Sequence, residues 1–326
     1  MPKPATCPPA TSSVFPQEWL EEWTWGKHKI SVAKSRGGDN SDSVVLIHGF
    51  GACKEHWRHN VAPLAEQFDV AAIDLLGFGS SDKPQSRLSS EPEDGQSTLY
   101  CIDLWAEQVV DFRDAHKLQG IQLVGNSIGG VVALRAAEML ETRGTPAEGV
   151  VLIDCAQRAI DDKRVSEQPP LRALGRPLLK QLVQQRWITG PLFRSLARPS
   201  IIRSVLKLAY PTGSGVDEQL VSMLHRATTD PGALESFRGF INLFQDHLAP
   251  ELLDRLKTPV RVIWGEADPW EPVQQAREWM KFESVQELHT VEALGHCPHD
   301  ESPEQINPIL LKMLSTQANK SAESET

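Results

Sequence analysis

The stretch Ile121-Gln122-Leu123-Val124-Gly125-Asn126-Ser127-Ile128-Gly129-Gly130 constrains the chain more than any other. An apolar run enters a Gly-x-Ser-x-Gly turn, which opens into the small, helix-compatible segment Val131-Val132-Ala133-Leu134-Arg135-Ala136-Ala137. The sequence therefore reads as strand, sharp corner and helix, with the corner serine holding its hydroxyl out as a nucleophile. Glycines at 125 and 129 suit a corner where a side chain would collide with crossing backbone. At average glycine usage the bare pentapeptide arises by accident in roughly one chain in ten of this length. The flanking strand and helix therefore carry the expectation. A nucleophilic serine also requires a base, an acid and an oxyanion site elsewhere in the chain.

The elements on either side of the corner repeat its rhythm. Alternation around Trp23, Trp25, Ile30 and Val32 predicts a short antiparallel pair. Val44-Val45-Leu46-Ile47, Val70-Ala71-Ala72-Ile73 and Val150-Val151-Leu152-Ile153 are uninterrupted apolar runs, as strands buried on both faces should be. Between them, Val61, Leu64, Ala65 and Phe68 fit one helix face, and Ile102, Trp105, Val109 and Phe112 another. Strand-helix alternation of this kind predicts an α/β fold, a mostly parallel central sheet flanked by helices. From 156 to 250 the rhythm breaks. No strand pattern appears there, and apolar runs separated by Pro and Gly predict a helical cap insertion. Strands then resume at Val260–Trp264 and Val285–Leu288, with helices near Gln274–Lys281 and Pro303–Leu314. The expected divisions are a disordered arm over 1–17, core over 18–155, cap over 156–250, core over 251–315 and a polar tail over 316–326. Residues 82–98, rich in Pro, Ser and Glu, read as a surface loop.

Charge and cysteine usage narrow the function classes. A formal net charge of -10 argues against nucleic acid as a partner, no basic tract being evident to offset it. Five scattered cysteines form a poor disulfide framework and suggest a reducing compartment. Residues 1–9 lack the apolar core of a secretory signal, and no run is long enough to span a bilayer. A cytoplasmic protein is expected, with peripheral membrane contact left open.

Four chemistry-bearing features fall at the carboxyl ends of expected strands, where open α/β sheets place their sites. His48-Gly49-Phe50-Gly51 ends the first buried strand, and Ser127 sits at the corner. Asp268 follows the strand after the insertion, and His296 follows the last strand. A serine hydroxyl needs an imidazole to take its proton, and the imidazole needs a carboxylate to fix its tautomer. The backbone N–H groups of Phe50 and Ile128 are the natural oxyanion donors. Asp154 also ends a strand and is the rival acid. His48 is expected to pack beside the oxyanion loop. The His296-x-x-His299 spacing lacks the further ligands of a zinc site; His299, Asp300 and Glu301 fit polar contacts at a helix start. Gly77-Phe78-Gly79-Ser80-Ser81 lacks the spacing of a phosphate loop. No metal or cofactor is expected.

Ser, then Asp, then His is the chain order of α/β-hydrolase triads, and the chain resembles that superfamily from about Val44 to Leu314. The resemblance rests on Leu46–Gly51, Asp74–Pro84, the Ser127 corner, Trp264–Trp270 and Gly295–Glu301. Among its branches the chain is most similar to the cyanobacterial and chloroplast group of chlorophyll dephytylases and pheophytinases. It shares with that group the Gly-Asn-Ser-Ile-Gly-Gly corner, His56-Trp57-Arg58, the Trp-Gly-Glu-x-Asp-Pro-Trp turn and the Gly-His-Cys-Pro-His-Asp-Glu loop. The resemblance implies a carboxylic ester hydrolase, with a phytyl ester of a chlorophyll-type pigment as the substrate class. Epoxide hydrolases and haloalkane dehalogenases of the superfamily attack with aspartate at the corner, and Ser127 sets this chain apart from both. It departs from the group in the long polar loop Gln85–Ser97 and in lacking a plastid transit sequence. The latter favours a bacterial protein, cytosolic or peripheral to thylakoid membranes. A carbon–carbon bond hydrolase with the same three residues and a non-catalytic binding protein are the alternatives.

Overall fold

The structure, a computed structural model, describes residues 14–36, 42–167 and 170–324. The strands are β1 (Leu20–Trp25), β2 (His28–Ser35), β3 (Ser43–Ile47), β4 (Asp69–Ile73), β5 (Gln122–Asn126), β6 (Gly149–Ile153), β7 (Val260–Gly265) and β8 (Val285–Val291). They form one sheet in the order β1-β2-β4-β3-β5-β6-β7-β8. β2 pairs antiparallel with β1 and with β4, and the remaining neighbours are parallel. The helices are α1 (Val61–Ala65), α2 (Ile102–His116), α3 (Ile128–Thr142), α4 (Pro170–Gln184), α5 (Arg186–Leu196), α6 (Pro199–Ala209), α7 (Glu218–Thr229), α8 (Ala233–Ile241), α9 (Ala249–Arg255), α10 (Val273–Trp279), α11 (Pro298–Glu301) and α12 (Pro303–Ser324).

The uninterrupted apolar runs follow from helices on both faces of the sheet. Along β3, Val45 and Ile47 join the core that Val109 of α2, Val132 of α3 and Leu252 of α9 complete. Val44 and Leu46 point the other way, into a core shared with Val61 and Leu64 of α1 and Ile306 and Leu310 of α12. A strand with no polar face cannot be exposed on either side, so central placement is dictated by the residues. The parallel strands β3, β5, β6, β7 and β8 all end at one edge, where residues 48–51, 127, 154, 266–271 and 292–296 form neighbouring loops.

Between β6 and β7 the described residues of 156–250 hold helices α4 to α8 and no strand. Leu206, Ala209 and Tyr210 at the end of α6 pack with Leu220, Val221 and Met223 of α7 on Cys53 and Cys297 of the core. The four described cysteines are free thiols; Cys7 lies outside the described residues.

Three expected boundaries need correction. Residues 1–13 of the predicted arm lie outside the described residues. Val14 to Gln17 are ordered, because Phe15 is buried and a 3-10 turn follows at Gln17–Trp19. α12 continues through the expected tail to Ser324, since no Gly or Pro follows Pro308 to stop it. β8 extends to Val291, carried by pairing with β7 as far as Gly265.

Candidate active site

Ser127 occupies the step from β5 to α3, with φ 55° and ψ -126°. A non-glycine residue at positive φ costs about 1–3 kcal/mol, so the surrounding structure must hold it there. It does so through backbone bonds: Ser127 N–H donates to Ile153 (3.0 Å), and its carbonyl accepts from Gly130 and Ala156 (both 3.0 Å). The two glycines are required by close approach. A Cβ on Gly125 would lie 2.2 Å from the Gly129 carbonyl oxygen, and one on Gly129 would lie 2.4 Å from that of Ile47. Both obstacles are backbone, so Gly129→Ala is expected to cost about 3 kcal/mol or more. A denaturant titration would show this as a lowered midpoint.

The Phe50 loop passes beside the corner: a Cβ on Gly49 would come within 3.1 Å of Ser127 Cβ. His48 fastens this loop. Its Nδ1 lies 2.7 Å from the Gly49 carbonyl oxygen, and its Nε2 accepts from Leu75 N–H at 3.1 Å. Nδ1 must therefore carry the proton, and burial holds the ring neutral by lowering its pKa. Among the described residues, the N–H groups of Phe50 and Ile128 donate to no other group. The Phe50 ring is stacked on Phe240 of α8 with centroids 3.7 Å apart.

Asp268 and His296 meet across the loops after β7 and β8. His296 Nδ1 lies 2.7 Å from Asp268 Oδ2, and that carboxylate is nearly inaccessible. Its Oδ1 accepts from the N–H groups of Trp270 (2.8 Å) and Glu271 (3.1 Å), which fixes its orientation. Asn126 Nδ2 donates to the carbonyls of Ile153 (3.1 Å) and His296 (3.0 Å), so the corner and the histidine loop are tied directly. Asp154 lies beside Asp268 and accepts from Gly265 N–H at 3.0 Å. Burial, and then the charge of Asp268, push its carboxyl well above the usual range.

Ser127, His296, Phe50 and Ile128 line one cavity of about 660 Å³ beneath the insertion, whose walls are mainly Phe, Leu, Ile, Val and Ala side chains. That lining suits an apolar ligand. The His56-Trp57-Arg58 motif, whose His56 lines the cavity, acts as a clamp. Arg58 Nε donates to Asp300 (2.8 Å), Tyr210 at the end of α6 donates to the same carboxylate (2.9 Å), and His56 Nε2 meets the Tyr210 hydroxyl at 2.7 Å. Glu301 accepts from Gly295 N–H at 2.8 Å, and His299 packs on Trp57 with ring centroids 4.3 Å apart.

Sequence reasoning missed Glu271, which also lines the cavity. Burial is the main cause raising its pKa to about 7, with the Asp268 charge adding to it while Gln157 N–H and His296 oppose. A raised folded-state pKa stabilises the fold most below the ordinary carboxylate range, and that stability is lost as pH rises to about 7. Glu271→Gln keeps an acceptor for Gln157 N–H yet cannot ionise. It is expected to gain on the wild type between pH 5 and pH 8, by up to about 3 kcal/mol. Melting temperatures of both proteins at the two pH values would check this.

The fold is that of a known family. Residues 44–309 match the model of the alpha/beta hydrolase family, and the chain belongs to that family. It is similar to a chloroplastic pheophytinase of Arabidopsis thaliana, at 27% identity over 317 residues covering 89% of this chain and 64% of that protein. The chain thus spans a little under two thirds of that relative's length. It is 24% identical over 287 residues, 85% of each chain, to a 2-hydroxy-6-oxo-6-(2'-aminophenyl)hexa-2,4-dienoic acid hydrolase of Metapseudomonas resinovorans. Among solved structures, an epoxide hydrolase superposes with a TM-score of 0.72 at 21% identity, covering 91% of this chain and 98% of that one. That likeness concerns the fold alone. Among the described residues no helix is long and apolar enough to cross a membrane.

Proposed function

We propose that this hydrolase cleaves carboxylic esters through an acyl-enzyme on Ser127. The observation that carries the proposal is the 2.7 Å contact of His296 Nδ1 with Asp268, on a histidine sharing its cavity with Ser127. Asp268 holds the imidazole with Nε2 free to take the Ser127 proton as the hydroxyl attacks the ester carbon. The undonated N–H groups of Phe50 and Ile128 stabilise the oxyanion of the tetrahedral intermediate. As the intermediate collapses, His296 returns the proton to the departing alcohol. Water then attacks the acyl-enzyme with the same base and releases the acid.

The apolar cavity and the pheophytinase relative together support a long isoprenoid alcohol, phytol on a chlorophyll-type acid, as the leaving group. Such a substrate partitions into bilayers, so peripheral membrane contact belongs to this reading. The dienoic acid hydrolase relative supports a second reading, carbon–carbon bond cleavage by the same residues. Against it, Arg158 is the one lysine or arginine among the described cavity residues, and it is already paired with Asp161 at 2.7 Å. A carboxylate-bearing dienoate would therefore find no free cation there.

Turnover of pheophytin a and chlorophyll a, measured beside short p-nitrophenyl esters, tests the substrate class. Release of phytol from either pigment is the expected result. Cleavage of the short esters alone would discredit the phytyl assignment while leaving the ester mechanism standing.

A further inference from the structure

The insertion carries a charge unlike the rest of the chain. Residues 168–216 include eight arginines and lysines and no aspartate or glutamate, in a chain of net charge -10. Averaging over the whole chain hid this tract from the sequence reading. On α5 and α6, Leu192, Leu196, Ile201, Val205 and Leu208 are between 37% and 60% exposed. Positions 201, 205 and 208 share one face of α6, and 192 and 196 lie one turn apart on α5. Exposed Arg194, Arg198 and Lys207 stand among them without an acidic partner among the described residues, whereas Arg186 and Arg203 are paired with Glu235 and Glu218. Leu196, Ile201 and Val205 also line the cavity over Ser127, so this exposed face borders it directly.

We propose that the α5–α6 face docks on an anionic lipid bilayer, so that an apolar substrate passes from the membrane directly into the cavity. Exposed aliphatic side chains ringed by unpaired cations are the composition of an interfacial helix surface. The charge argues against a second copy as the occupant, because a symmetric pair would bring two all-basic faces together. Docking deepens the ester-hydrolase proposal by naming where its substrate resides, and it rests on that reading only for what enters the cavity.

Co-sedimentation of the full chain with vesicles tests docking without any turnover. The wild type is expected to sediment with vesicles of equimolar phosphatidylcholine and phosphatidylglycerol, much less with phosphatidylcholine alone, and to be released by salt. The triple variant Arg194→Glu/Arg198→Glu/Lys207→Glu is expected to bind about a hundredfold more weakly, at roughly fivefold per cation. Leu208→Glu should weaken binding as well. These four side chains lie outside the cavity lining, so unchanged turnover of a soluble short ester would report that the variants are folded. Wild type left in solution with anionic vesicles, or a triple variant that sediments like the wild type, would overturn docking even with ester turnover intact. Vesicle binding without any ester turnover would instead uphold docking and count against the hydrolase proposal alone. A lipid-free dimer dissolved by Leu208→Glu would give the face to a second copy and overturn the proposal.

Discussion

Ser127→Ala is expected to lower kcat/KM for ester substrates by at least about 10⁴-fold while leaving the fold intact. The hydroxyl is the proposed site of covalent attack, and no other group at the corner can replace it. Oxyanion donors and the apolar cavity would sustain only the residual rate that binding and electrostatics provide. Stability should separate from activity here. Alanine keeps the strain of φ 55°, whereas glycine adopts that angle freely. Ser127→Gly should therefore be more stable than Ser127→Ala by about 1 kcal/mol, although both are inactive. Steady-state kinetics and denaturant midpoints on the two variants would check both halves. Appreciable turnover by either would contradict the assigned nucleophile.

The second large effect divides two buried carboxyls. Asp268→Asn is expected to lower kcat by about 10⁴-fold, because an amide facing His296 Nδ1 favours the wrong imidazole tautomer. Asp154→Asn is expected to change kcat by only about fivefold, the equivalent of one ordinary hydrogen bond. Burial already disfavours the charged form of Asp154, and asparagine keeps an oxygen for Gly265 N–H. Similar losses in both variants, or a larger loss at Asp154, would reverse the assignment of the acid.

The central sheet was legible because its strands are buried on both faces. Val44–Ile47, Val70–Ile73 and Val150–Ile153 carry no polar face, so burial and sequence say the same thing there. The β1–β2 hairpin declared itself by the opposite signal, alternation along an edge. Ser127, Asp268 and His296 could be proposed because parallel strands deliver their following loops to one edge, whatever lies between them in the chain. What could not be read depends on contacts. The end of β8 is set by pairing with β7, and the length of α12 by the absence of a stop signal rather than by apolar periodicity. Glu271 gives no cue in sequence, since its burial arises only when the β7 loop closes under the insertion. Tyr210 is equally silent until the end of α6 is laid against Asp300. The basic tract of the insertion was present in the sequence throughout, masked by acidic residues elsewhere.

The most direct test of the account is labelling with a fluorophosphonate, which reacts with an activated serine hydroxyl. The wild type is expected to gain one adduct, mapped by peptide mass to Ser127, and Ser127→Ala should gain none. Asp268→Asn should react far more slowly than Asp154→Asn. A wild type that stays unlabelled, or a Ser127→Ala protein that labels as well as the wild type, would contradict it.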